Sequence, residues 1–290
     1  MRIYFTRFLL ILTLAMIALV CACTRADQPS PAPAPPPPDT MKTDGKKAKT
    51  IGEYHPGEKK FYLRNGNSAG IADITFSYGP GGEQLFPLAG DWDGDGIDSV
   101  GLYDSQKGTW FLKNSYADGV ADTVFSFGPA GQKRLLIVGD WDGGGKDSVG
   151  LYDPAKGSWF QKNSNTNGVA DVVFSYGPSG GNLLPIAGDW DGDGKDRIGL
   201  YDAVKAAWFL RNANSGGAAD ITFSYGPGAQ KFLPISGDWD GDGKTSVGLY
   251  DPAKGAWFLK NTNAGDVADT MFSYGPAGQK LLPVAGHWRG

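Results

Sequence analysis

Gly90-Asp91-Trp92-Asp93-Gly94-Asp95-Gly96 has counterparts at Gly139, Gly188 and Gly237, each 49 residues after the last. A shortened copy, Gly286-His287-Trp288-Arg289-Gly290, falls on the same interval. A fixed period of this length means one supersecondary unit stacked several times, since each unit buries its apolar face only against a neighbour. Within one unit, four short runs rich in β-branched and aromatic residues occupy 183–188, 198–201, 207–211 and 219–225. Gly, Asn, Asp and Pro separate them, and no segment sustains a 3.6-residue apolar period. Four strands per unit is the make-up of a propeller blade.

Second strands begin near residues 50, 99, 148, 197 and 246, and first strands near 84, 133, 182, 231 and 280. The repeats therefore start on a second strand and finish on a first strand, each end holding the part of a blade that the other lacks. The predicted fold is all-β: a five-bladed β-propeller of four-stranded antiparallel blades over residues 50–290. Pairing of the N- and C-terminal strands closes the ring and removes two open sheet edges. Pro87, Pro185, Pro234 and Pro283, with Leu136 at the equivalent place, fall in the first strand of each unit. Proline cannot donate to a ladder, so that strand is expected at an edge, facing a central channel. Asp104, Asp153, Asp202 and Asp251 open turns, and Trp110, Trp159, Trp208 and Trp257, with Phe61 in the first unit, are expected between blades.

The front of the chain reads differently. Arg2 and Arg7 flank the start of an apolar run, Phe8 to Val20, followed by Cys21-Ala22-Cys23. That is the pattern of an export signal, and the run is short for a membrane span of about 20 residues. Val20-Cys21-Ala22-Cys23 resembles the bacterial lipobox, which implies a signal peptide at 1–22, acylation of Cys23 and a membrane attachment through that lipid. Thr24 follows in place of the inner-membrane retention Asp, so the resemblance implies an outer-membrane address in a Gram-negative source. Residues 23–49 are a tether, with a proline-rich stretch at 28–38 extending roughly 30 Å as polyproline II, then solvated lysines at 42, 46, 47 and 49.

Composition excludes several chemistries. The propeller segment has no cysteine and the chain only two histidines, His55 and His287, so disulfides and multi-histidine zinc are out. A net charge of −4, with no basic stripe, argues against nucleic acid as partner. Gly243-Lys244-Thr245 is no phosphate loop, because the earlier glycine that motif requires is Asp238. A closed ring needs no second copy, so a monomer is expected.

Alternating carboxylates in a tight glycine loop converge on one point, as a calcium loop requires. Asp91, Asp93 and Asp95 supply side-chain oxygens, with the Ile97 carbonyl next. Asp189, Asp191, Asp193 and Lys195 repeat the set, as do Asp238, Asp240, Asp242 and Lys244. The second loop keeps Asp140, Asp142 and Lys146 but has Gly144 in place of the third Asp. The consensus of the four copies, Gly-Asp-Trp-Asp-Gly-Asp-Gly-Lys-Asp-Ser-Val-Gly-Leu-Tyr, resembles the FG-GAP or VCBS type of repeat, which implies a β-propeller carrying structural calcium between the first two strands of a blade. That family closes the shell with Asp at the ninth loop position. Ser99, Ser148, Arg197 and Ser246 stand there instead, and Asp98, Asp147, Asp196 and Thr245 stand at the eighth. A register shift onto the eighth position, or water, is expected to complete the shell.

The function expected is a surface-tethered, calcium-stabilised binding module for a glycan or protein. Five similar grooves would favour a repetitive ligand. Asn114, Asn163, Asn212 and Asn261 open loops on the same rim as the acidic loops and are candidate ligand contacts. The alternative is a structural or assembly component of an envelope complex. An enzyme is disfavoured because nearly every acid recurs with the repeat, whereas catalysis needs a unique pair.

Overall fold

The computed structural model describes residues 48–80 and 85–288. The predicted signal peptide, Cys23 and the tether as far as residue 47 lie outside these residues. The described chain forms five four-stranded antiparallel sheets and no helix. The closing blade contains β1 (Thr50–His55), β2 (Lys60–Leu63) and β3 (Ile74–Ser77). The second blade is β4 (Leu85–Gly90), β5 (Ser99–Asp104), β6 (Thr109–Lys113) and β7 (Thr123–Ser126). The third is β8 (Leu135–Gly139), β9 (Ser148–Asp153), β10 (Ser158–Gln161) and β11 (Val172–Ser175). The fourth is β12 (Leu184–Gly188), β13 (Arg197–Asp202), β14 (Ala207–Leu210) and β15 (Ile221–Ser224). The fifth is β16 (Leu233–Gly237), β17 (Ser246–Asp251), β18 (Ala256–Leu259) and β19 (Thr270–Ser273). Last comes β20 (Leu282–Gly286), which completes the closing blade in the order β20-β1-β2-β3.

Closure is direct. Thr50 lies opposite Gly286 and Tyr54 opposite Leu282 in an antiparallel ladder between the two ends of the ring. The innermost strands β4, β8, β12, β16 and β20 neighbour one another around the axis. Pro87, Pro185, Pro234 and Pro283, with Leu136, line a central cavity of about 600 Å³. Each of these residues pairs with a second strand on one side only, so the missing proline N–H leaves no gap in a ladder.

The core lies between blades. All six residues of β5 are buried, because this strand has a blade on each side. Val100 and Leu102 pack into the cluster of the closing blade, whereas Tyr103 packs with Trp110 and Phe125 against Val149 and Leu151 of the third blade. The same arrangement recurs round the ring until Trp257 and Tyr250 meet Ile51. Gly101 makes the inward face fit: a Cβ there would sit 2.8 Å from Leu112 Cδ2 and 3.0 Å from Leu88 Cγ. Trp110, Trp159, Trp208 and Trp257 are fully buried, and their indole N–H groups donate to the carbonyls of Phe127, Tyr176, Tyr225 and Tyr274. Burial and a satisfied polar tip together suit tryptophan to this place.

Candidate metal centre and rim loops

Each acidic loop joins the innermost strand of a blade to the second strand, and its first Asp organises it. Asp91 Oδ1 accepts from the N–H groups of Gly94 (2.7 Å) and Asp95 (3.2 Å), while Oδ2 accepts from Gly96 (2.8 Å). Asp189 and Asp238 gather their loops in the same way, and so does Asp140. Gly94 and Gly96 both take φ +81°, a left-handed backbone that disfavours any side chain. The third Asp of a loop accepts from the seventh residue: Ile97 N–H on Asp95, Lys195 on Asp193 and Lys244 on Asp242.

These bonds bring together three triads, Asp91/Asp93/Asp95, Asp189/Asp191/Asp193 and Asp238/Asp240/Asp242. Within each, ligand oxygens lie no more than 4.8 Å apart. An all-oxygen set of this kind fits a hard cation such as calcium. Asp140 and Asp142 make only a pair, since Gly144 leaves no third carboxylate.

The triads differ in their surroundings. Lys146, Lys195 and Lys244 cross the loop of the preceding blade, their stems 2.8, 2.9 and 3.2 Å from where a Cβ on Gly94, Gly143 or Gly192 would sit. In the third loop Arg197 also forms an ion pair with Asp193 at 2.9 Å. Ala48 stands one period before Ile97, so the loop at Asp238 has no lysine in that place. Burial, with the adjacent Asp242 charge, raises the pKa of Asp238 and of Asp240. Crowded carboxylates without a nearby cation gain most from binding one.

Asp98, Asp147 and Asp196 take no part in the triads. Each reaches back to the preceding blade. Asp147 Oδ2 accepts from the Asp91 N–H (2.9 Å), and the Asp147 N–H donates to the Asp91 carbonyl (2.8 Å). Asp196 makes the same pair with Asp140, Asp98 with His287, and Thr245 with Asp189 through its hydroxyl. Lys49, one period before Asp98, completes the circle by donating its N–H to the Asp238 carbonyl at 2.6 Å. Five clasps thus tie blade to blade around the channel mouth. The Lys49 ammonium lies 3.3 Å from Asp98 Oδ2. Burial works to lower its pKa, but Asp98, Asp147 and Asp196 outweigh it and raise it. Burial raises Asp147 well above the usual carboxylate range and pushes Asp196 up to about 6.

The ninth position is spent on the sheet. Ser148 Oγ donates to the Lys162 carbonyl, Ser246 Oγ to that of Lys260, and Ser99 is buried opposite Gly90. Three carboxylates in each of three loops are thus the groups that stand close enough to share a cation among the described residues.

Asn114, Asn163, Asn212 and Asn261 open the loops between third and fourth strands, where their N–H groups donate to Asp122, Asp171, Asp220 and Asp269 at 2.7 Å. A second set does more to place these loops. Asn67, Asn165, Asn214 and Asn263 donate Nδ2 to the carbonyls of Lys49, Asp147, Asp196 and Thr245, fixing the loop beside the acidic loop on one rim. Beneath, Lys113, Lys162 and Lys260 donate to the carbonyls of Val120, Val169 and Val267, and Arg64 and Arg211 serve Ile71 and Ala218. With their carbonyls held inward, Ile71, Val120, Val169 and Val267 present side chains that are at least 80% exposed. The cations at 64, 113, 162, 211 and 260 and the asparagines at 67, 165, 214 and 263 recur on the 49-residue period of the sequence.

Fold and rim together define a five-bladed β-propeller with a regularly patterned loop face, an architecture consistent with a binding module. No family model matches the chain, and no curated protein matches it.

Proposed function

We propose that this propeller is a calcium-stabilised recognition module of the FG-GAP or VCBS type, tethered through a lipidated Cys23 and binding a repetitive glycan or protein ligand with its loop rim. The observation that carries the reading is the rim itself. Each of four loops holds an apolar side chain in water, braced from below by a buried or half-buried cation, and acidic loops alternate with them. Exposed apolar groups repeated on one face mark interaction surfaces, and multiplicity adds avidity for a ligand with matching repeats. Calcium in the three triads would add stability to rim loops whose turns the first Asp already holds. At about 1 mM calcium and a Kd of about 0.1 mM, each site contributes roughly 1.4 kcal/mol by mass action.

A glycan array and an envelope-protein pull-down, each run with calcium and with chelator, test the reading. Saturable, calcium-dependent binding that weakens when Val120, Val169 and Val267 are changed together to Ser supports it. Binding indifferent to both calcium and the triple change would overturn it. Retention of partners only within a large envelope assembly would favour the structural role instead.

A further inference from the structure

One blade interface departs from the repeat. At four places where the other units carry Leu, Asp, Lys and Phe (Leu102, Asp104, Lys107 and Phe111 in the second blade), the closing blade carries Glu53, His55, Glu58 and Tyr62. All four line one groove of about 630 Å³ between the closing blade and the fifth blade, with Tyr274 and Gln279 on the far side.

Glu53 is the centre of the departure. Its counterparts Leu102, Leu151, Leu200 and Leu249 fill the space over Gly79, Gly128, Gly177 and Gly226. Glu53 lies over Gly275 in the same way, 1% exposed, and its Oε1 has no hydrogen-bond partner among the described residues. A buried carboxylate oxygen left unpaired is costly, and it replaces a leucine that would cost nothing. The departure gives this one interface a carboxyl where the other four are apolar.

The remaining groups define what fits. His55 Nδ1 accepts from the Glu58 N–H at 3.0 Å, so Nε2 carries the proton and donates to Gln279 Oε1 at 3.0 Å. Tyr62 donates its hydroxyl to Glu58 Oε2. No Lys or Arg is among the described residues that line the groove. Arg64 lies over the Tyr274 ring at 5.8 Å and Lys60 favours the Glu58 charge, so Glu53 is the carboxyl on which no protein cation acts among the described residues. We propose that this seam groove binds a small organic cation, an ammonium group on an apolar or aromatic body, with Glu53 as counter-charge and Tyr62 as an aromatic wall. Carboxylate and ring faces both attract a desolvated ammonium, and the volume suits a ligand of metabolite size. The site occurs once per ring and depends neither on calcium nor on the rim reading above.

Titration calorimetry of the full-length protein with 2-phenylethylamine, against the neutral isostere 2-phenylethanol, tests this. The expected result is saturable binding of the amine at one per chain, at least tenfold weaker for the alcohol. Glu53→Leu restores the residue of the other four blades, so it should fold at least as well, yet weaken the amine by tenfold or more. No saturable amine binding, equal binding of the alcohol, or unchanged binding by a folded Glu53→Leu variant would each overturn the proposal.

Discussion

Three residues, Lys59, Ala206 and Ala229, hold backbone that glycine holds elsewhere in the repeat. Gly108, Gly157 and Gly255 take φ between 61° and 66° in the turn after the second strand, where Lys59 and Ala206 take 58° and 53°. Left-handed backbone costs an L-residue roughly 1–2 kcal/mol, partly offset by the greater freedom of glycine when unfolded. Ala206→Gly and Lys59→Gly should each raise stability by about 0.5–1 kcal/mol in urea titrations. Glu53 makes the opposite case, a residue that weakens the fold. Burial pushes its pKa up to about 7 from 4.5, with the Tyr250 hydroxyl opposing only part of the shift. Between these values the folded chain binds more protons than the unfolded chain, so stability falls as pH rises through 7. Relative to Glu53→Leu, the wild-type protein should lose on the order of 3 kcal/mol between pH 4.5 and pH 8. A gap between the two proteins that is independent of pH would contradict this.

At the scale of the element, the eighth loop position matters as a clasp between blades. Asp147→Ala removes a part-buried acceptor and leaves the Asp91 N–H without its partner, which should cost about 1–2 kcal/mol. Asp147→Thr, which copies the hydroxyl that Thr245 presents to Asp189, should recover part of that loss. Thermal unfolding of the two variants measures both, and equal losses would show that the hydroxyl cannot serve at this blade pair. The acidic loops are a second kind of element. Their first Asp is bonded to three backbone N–H groups in all four copies, including the one with only two carboxylates. The loop conformation therefore does not depend on metal, and calcium is expected to add stability without creating the turn.

For the whole molecule, closure is the decisive contact. The ladder between β1 and β20 joins residues more than 220 positions apart and brings Ile51 into the core beside Trp257. Deleting residues 282–290 should expose β1 and the fifth-blade core together, abolishing cooperative unfolding rather than lowering its midpoint. A circular permutant that joins Gly290 to Lys49 through a short linker and opens at Gly131 should fold, since the ring keeps every blade. Addition of chelator to the calcium-loaded propeller should lower Tm by the equivalent of about 4 kcal/mol across three sites. An unchanged Tm would remove calcium from the account.

Blade number, strand order and ring closure were legible in the chain because a 49-residue period carries its own register, and complementary ends admit one way to finish a blade. Buried tryptophans and channel-facing prolines followed from residue chemistry alone. Three features needed the tertiary structure. Asp98, Asp147 and Asp196 sit in sequence beside a metal loop, yet their partners lie a full blade away, and local spacing cannot report a bond between blades. Lys49 reads as the last lysine of a solvated tether until the ring places it one period ahead of Asp98. Glu53 is one acid among many in the sequence, and only its position over Gly275, where four other interfaces hold leucine, reveals a buried carboxyl. Periodicity determines what repeats; the places where the repeat fails acquire chemical meaning only when packing sets them side by side.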